Sequence, residues 1–217
     1  MAQQTVNFID LFSAATDALQ QNRSQLNKAD SYNGNHGDNM VQIMEVVQQA
    51  MREKKTADLP SQLEYAADLV RQKSQSGSAN VLAGGLAQAA KQALGEKADG
   101  LPIDLALNLL MTILNGGQKS SASSGQDLAG SLLGSLVSGL AGSQKSTASS
   151  QQSGGTDWLS LGLDLLQSSQ DAGIDIGQLA QTLVSGTEMG KSEHRSQSGQ
   201  LIANAALKML MSNLNKK

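Results

Sequence analysis

Residues 26–40 read LNKADSYNGNHGDNM. Asn, Asp, Gly and one His crowd together here, and directly after them Met40, Ile43, Met44, Val47 and Met51 recur at helical spacing. Short polar side chains and glycines ahead of a helix are the chemistry of turns and N-caps. The same ingredients build anion and metal–phosphate sites at helix N-termini. Gly34 and Gly37 permit positive φ or close backbone approach. Asp30, Asn33, Asn35 and Asp38 offer oxygen ligands of the hard type that Mg²⁺ takes. The alternative reading is a plain capping loop. Asn33–Gly34 is also a pair prone to deamidation.

Working outward, the periodicity predicts helices over 5–22, 39–54, 60–73, 79–95 and 103–114. Phe8, Ile9, Phe12, Ala15 and Leu19 form the apolar face of the first. Leu63, Ala66, Leu69 and Val70 face inward on the third, which Pro60 opens. Leu82, Leu86, Ala89 and Ala90 do so on the fourth. Gly84 and Gly85 inside that helix lower its propensity, which implies close packing or close ligand approach. IDLALNLLMTIL (103–114) is apolar on most sides and is expected at the bundle centre. Further helices are predicted over 128–142, 157–168, 174–186 and 198–214. Gly130 and Gly134 in the first of these permit close helix contact, with an acyl-facing helix as the minor alternative. Two similar Gly/Ser/Gln-rich stretches, 116–126 and 142–155, read as solvated loops or a small duplication. The fold class that follows is all-α: an antiparallel bundle or barrel of about eight helices without sheet, forming one domain over 1–217.

The bulk composition narrows function. Aromatics make up 2% of the chain, so the core is aliphatic and methionine-rich. A net charge of −3 argues against a nucleic-acid footprint, which needs a basic face. With no cysteine there is neither a disulfide framework nor thiolate chemistry. The opening MAQQTVNFIDLF has no basic stretch leading into an apolar one, and no apolar run reaches 18 residues. A cytoplasmic protein without a membrane partner is therefore expected. His36 and His194 are the two imidazoles, too few for a typical histidine zinc site, and no G-x-S-x-G elbow is present.

NGNHGDNM (33–40) resembles the DGDxGxNM signature of the Dak-type nucleotide-binding domain, found in the L subunit of dihydroxyacetone kinase and at the N-terminus of fatty acid kinases. Leu26, Asn27 and Asp30 match the run before that signature. QSGSANVLAGGLAQAAKQAL (75–94) is similar to the family's Gly/Ser-rich helix start, and GKSEHRSQSG (190–199) is similar to its closing segment. The resemblance implies an eight-helix barrel with ATP or ADP and Mg²⁺ held at one end. Asp30, Asn33 and Asn35 would face the metal. His36, Gly37, Asn39 and Met40 would bind the nucleotide, His36 and Gly37 from the point where the loop turns into the helix. Gly77, Ser78, Ala79 and Asn80 would offer amides to phosphate, and Lys191, Ser192 and Gly199 would lie near the nucleotide. A substrate-binding kinase subunit or an acyl-binding protein would be the partner, with a homodimer as a further option.

The departures bear on the chemistry. The two Asp positions of DGD are Asn33 and Asn35, and the closing D-P-G is Gln197-Ser198-Gly199. An Asn offers one neutral oxygen where a carboxylate offers two charged ones. Mg²⁺ is usually held through one or two carboxylates plus phosphates, so metal binding should weaken strongly. The function expected from the resemblance is a Mg-ATP/ADP-binding phosphotransferase module, weakened or inactive, acting with a separate substrate-binding partner; the alternative is a catalytically dead binding or regulatory module with no cofactor.

Overall fold

Asn7 is where helix begins. Its Oδ1 accepts a hydrogen bond from the Ile9 amide at 2.9 Å and satisfies an otherwise unpaired first-turn donor. The computed structural model describes residues 5–117 and 176–214, all within one compact unit made of residues 1–118 and 176–217. Seven α-helices are found among the described residues: α1 (Phe8–Ala29), α2 (His36–Glu53), α3 (Leu59–Lys73), α4 (Gly77–Gln92), α5 (Ile103–Leu114), α6 (Ile176–Ser185) and α7 (Glu193–Leu214). A 3₁₀ turn, Glu188–Lys191, joins the last two. The helices expected over 128–142 and 157–168, and most of both Gly/Ser/Gln-rich stretches, lie outside the described residues.

The all-α class is therefore correct, with one amendment. Strand β1 (Thr5–Val6) pairs antiparallel with β2 (Leu101–Pro102), Val6 opposite Leu101. Two residues carry no periodicity to read. They hold because Val6 and Leu101 are both buried, and because the Phe8 amide donates to the Ala98 carbonyl at 2.7 Å beside the pair.

Consecutive helices α1 to α5 pack in antiparallel fashion. Among the described residues, α2 touches α1, α3, α4 and α7, and α5 packs chiefly on α4. Leu105, Leu107 and Met111 of α5 are only half-buried. The methionines assigned inward on α2 are all buried, with Met40, Met44 and Met51 filling the core. Helices α1 and α2 are also tied by a buried polar link. Gln48 Nε2 donates to Thr16 Oγ1 and to the Phe12 carbonyl, and Arg52 holds Gln48 Oε1 at 2.7 Å.

Several helix starts meet at one end. The α1–α2 loop, the α3–α4 turn at Ser74–Ser76, the end of α5 at Gly116 and Gly117, and the segment entering α7 all lie there. Gly116 sits against Val81 and Glu188, while His36 reaches Ser198. Residues near 35 and near 78 thus share an end.

Gly84 and Gly85 are explained by packing. A Cβ at Gly85 would collide with the Ile113 carbonyl, and one at Gly84 with the Gly116 carbonyl. Backbone meets backbone where α4 crosses α5. Ala normally gains about 1 kcal/mol over Gly inside a helix, yet Gly85→Ala should lower stability by about 1–3 kcal/mol in urea unfolding, because the overpacked crossing must shift. Gly77→Ala, where nothing lies within 4 Å, should be close to neutral. A stabilised Gly85→Ala would show that the α4–α5 crossing is looser than described.

Candidate functional site

The loop between α1 and α2 is built by its own side chains. Asp30 ends α1, and its carboxylate then accepts from the Tyr32 amide at 3.0 Å and from the Asn35 amide at 3.3 Å, one bond to each oxygen. Gly34 turns the chain at φ +68°, a conformation that L side chains rarely adopt. Asn33 Oδ1 also accepts from the Asn35 amide, at 3.4 Å. The Asn35 side chain is used next door, accepting from Asn39 Nδ2 at 2.8 Å. Helix α2 starts at His36, earlier than its apolar periodicity suggested, so His36, Gly37 and Asp38 belong to helix rather than loop.

Gly37 sets how closely α2 approaches α1. A Cβ there would strike the Arg23 carbonyl. Asp38 then bridges the two helices. Its Oδ1 pairs with Arg23 Nε at 2.8 Å, its Oδ2 accepts from Asn27 Nδ2 at 3.0 Å, and its amide donates to Asn27 Oδ1 at 3.1 Å. Both carboxylates of the stretch are thus committed to holding the junction together.

His36 points the other way, toward α7. Its ring is 4% exposed, and Nε2 lies 3.0 Å from Ser198 Oγ, which is fully buried. The Ser198 hydroxyl donates to the Arg195 carbonyl at 2.9 Å. A hydroxyl carries one proton, so the proton of the His36–Ser198 bond belongs to Nε2. Ser198 has neither a free proton nor access to solvent, and this Ser–His pair is a structural link rather than a nucleophile. The His194 ring meets that of His36 edge-on, centroids 4.9 Å apart. Burial first, then the His194 ring, disfavour charge on His36 and hold its pKa down at about 4; Asp30 pulls the other way, and the Arg195 guanidinium adds a smaller push downward. Burial pushes the Asp30 carboxyl up, but the backbone N–H groups of Tyr32, Asn35 and Asn33, with His194, outweigh it and keep it below the usual value.

The remaining segments flank the same end. Ser76 caps α4, its Oγ accepting from the Ala79 amide at 3.1 Å and its carbonyl from the Asn80 amide at 3.1 Å. Of the four amides expected to face an anion, only those of Gly77 and Ser78 have no partner among the described residues. Lys191 pairs with Glu188, and Ser192 Oγ accepts from Arg195 Nε at 2.6 Å. Gly199 packs beneath Val184 and Met189. Met40 is fully buried core. The sequence reading placed Asn27 and Ser198 in its matched segments without these roles and did not single out Arg23, because the roles depend on contacts between distant positions.

No group of three or more His, Cys, Asp or Glu able to hold a metal occurs among the described residues. Asp30, Asn33 and Asn35 share a loop but spend their oxygens inside it, so they do not fit a Mg²⁺ site as arranged. A separate cavity of about 210 Å³ between α1, α6 and α7 is edged by the carboxamides Asn22, Gln25, Gln197, Gln200 and Asn204. Comparisons with protein families, with characterised proteins and with solved structures find no match to this chain.

The buried histidine makes the fold sensitive to acid. Folded His36 stays neutral down to about pH 4, while an unfolded histidine protonates near 6.5. Between those values the unfolded state binds more protons, so stability should fall as pH drops through that window. The loss should reach about 3 kcal/mol. Asp30 adds a loss of the same sign at lower pH. Urea unfolding at a series of pH values should show the upper slope in the wild type and its disappearance in His36→Gln. An unchanged slope would place the acid sensitivity elsewhere.

Proposed function

We propose that this chain is a catalytically silent, Dak-like helical module that works by binding or regulation and not by phosphoryl transfer. The observation that carries this reading is the commitment of Asp30. It is the one acidic position retained from the metal-binding signature that the loop resembles, and both its oxygens accept backbone N–H bonds from the same loop. Asp38 is likewise held by Arg23 and Asn27. A Mg²⁺ ion would have to displace those bonds and would then find Asn33 and Asn35 in place of carboxylates. Phosphoryl transfer depends on positioning and charge neutralisation by such an ion, and the loop offers little to position it.

The second reading is a Mg-nucleotide phosphotransferase subunit that receives its acceptor from a substrate-binding partner. One observation favours it: the loop before α2, the amides of Gly77 and Ser78, and the segment 188–192 gather at one end of the bundle. Helix N-termini attract phosphate even without a metal. A kinase subunit, an acyl-binding protein or a second copy of the chain are the partners to which the resemblance points.

The two readings differ in a thermal-shift titration with Mg²⁺ and ADP. A ligand at a hundred times its Kd stabilises a fold by about 2.7 kcal/mol. The silent module should show no rise in melting temperature at millimolar nucleotide, while the phosphotransferase should rise by several degrees. The double variant Asn33→Asp with Asn35→Asp should gain a Mg²⁺-dependent shift if the loop keeps the geometry of a metal site. A clear shift for the unmodified chain would overturn the silent reading.

A further inference from the structure

Asn–Gly occurs twice in this chain, at Asn33–Gly34 and at Asn115–Gly116, and the fold treats the two differently. We propose that Asn33 is a site of spontaneous deamidation in the folded protein and that Asn115 is protected from it. The reaction uses only the chain and water. The Gly34 amide nitrogen attacks Asn33 Cγ, an N–Cγ bond forms, and ammonia leaves to give a five-membered succinimide. Water then opens the ring at one carbonyl to give aspartate, or at the other to give isoaspartate. Glycine as the following residue hinders ring closure least, because it has no side chain.

At the first pair every requirement is met. Asn33 and Gly34 are exposed. Among the described residues the Gly34 amide makes no hydrogen bond of ordinary length and angle, and the turn over 31–33 closes on it only weakly, so the attacking nitrogen is available. A Cβ placed on Gly34 would meet nothing nearer than the Asn27 carbonyl at 4.0 Å, so the turn has room to rotate. The Asn33 side chain makes one hydrogen bond, through its oxygen, from the Asn35 amide at 3.4 Å. That bond draws electron density from Cγ and leaves the departing nitrogen untethered.

At the second pair the backbone is bound and packed. Asn115 is the C-cap of α5, with helical backbone angles, and its amide donates to the Met111 carbonyl at 2.9 Å. The Gly116 amide, which would have to attack, is bound to the Ile113 carbonyl at 3.2 Å. Gly116 and Gly117 are wedged against Val81 and Gly84 of α4. Ring closure there requires opening the end of α5 and its contact with α4.

The product alters the loop that the rest of this end depends on. Aspartate at 33 adds a negative charge to the loop that already closes on Asp30. Isoaspartate adds a main-chain methylene between the amides of Tyr32 and Asn35, which hold the Asp30 carboxylate. The inference does not rest on the silent-module reading, since it needs no nucleotide and no metal.

Peptide mapping by mass spectrometry tests it on the full-length protein incubated at mildly alkaline pH. In the folded state Asn33 should convert about tenfold or more faster than Asn115, because a protected amide reacts only through local opening. In denaturant the two rates should converge. Asn33→Gln should abolish conversion at this loop and leave the rate at Asn115 unchanged. Equal folded rates at the two positions, or a ratio that is the same with and without denaturant, would overturn the proposal.

Discussion

The approach of α2 to α1 at Gly37 is the constraint on which this end of the molecule depends. With no Cβ at 37, the first turn of α2 rests directly on the Arg23 carbonyl. That contact brings Asp38 within reach of both Arg23 and Asn27, and it fixes the direction in which His36 leaves the helix. His36 in turn meets Ser198 and so docks the start of α7. Three segments far apart in sequence are thereby joined through one short turn. The exposed Arg23–Asp38 pair alone would contribute little. Its value lies in being held beside the Asn27 bonds and a backbone contact that admits no slack.

The same economy of atoms explains why the stretch is ambiguous when read as a sequence. Asn, Asp and Gly before a helix serve as ligands in one protein and as turn and cap residues in another, because both tasks need short side-chain oxygens near free amides. What separates the tasks is whether the oxygens remain available. Here Asp30, Asn33, Asn35 and Asp38 each accept from a neighbour in the junction. The residue types were legible, whereas their commitment was set by the partners Arg23 and Asn27 and by the turn at Gly34.

The legibility of helix ends was uneven: α1, expected over 5–22, runs on to Ala29, so Leu26 and Asn27 belong to helix and not to the loop. The span 103–114 matches α5, and the inward faces of α2 and α4 are the buried ones. Boundaries drifted where a polar cap, not periodicity, decides. Asn7 delays α1 and frees Thr5 and Val6 to pair as strand, while α2 begins at His36 because Gly37 and Asp38 already rest on α1. Apolarity all round suggests a central helix, and among the described residues α5 packs chiefly on α4. The His36–Ser198 link was beyond reach, since 162 positions separate the two residues.

Neutral residues at 33 and 35 have a physical consequence of their own. Two like charges about 4 Å apart repel by about 4 kcal/mol near a protein surface. A loop carrying aspartates at 30, 33, 35 and 38 would hold four negative charges within nine residues, and it would need a bound cation to close tightly. With Asn at 33 and 35, the only carboxylates left are one satisfied by backbone N–H groups and one paired with Arg23. The turn therefore closes through hydrogen bonds of its own, and these tie together α1, α2 and, through His36, α7. Neutral side chains at 33 and 35 go together with a junction held by its own hydrogen bonds, which is why the stretch can resemble a phosphate site in sequence while its oxygens are taken up within the fold.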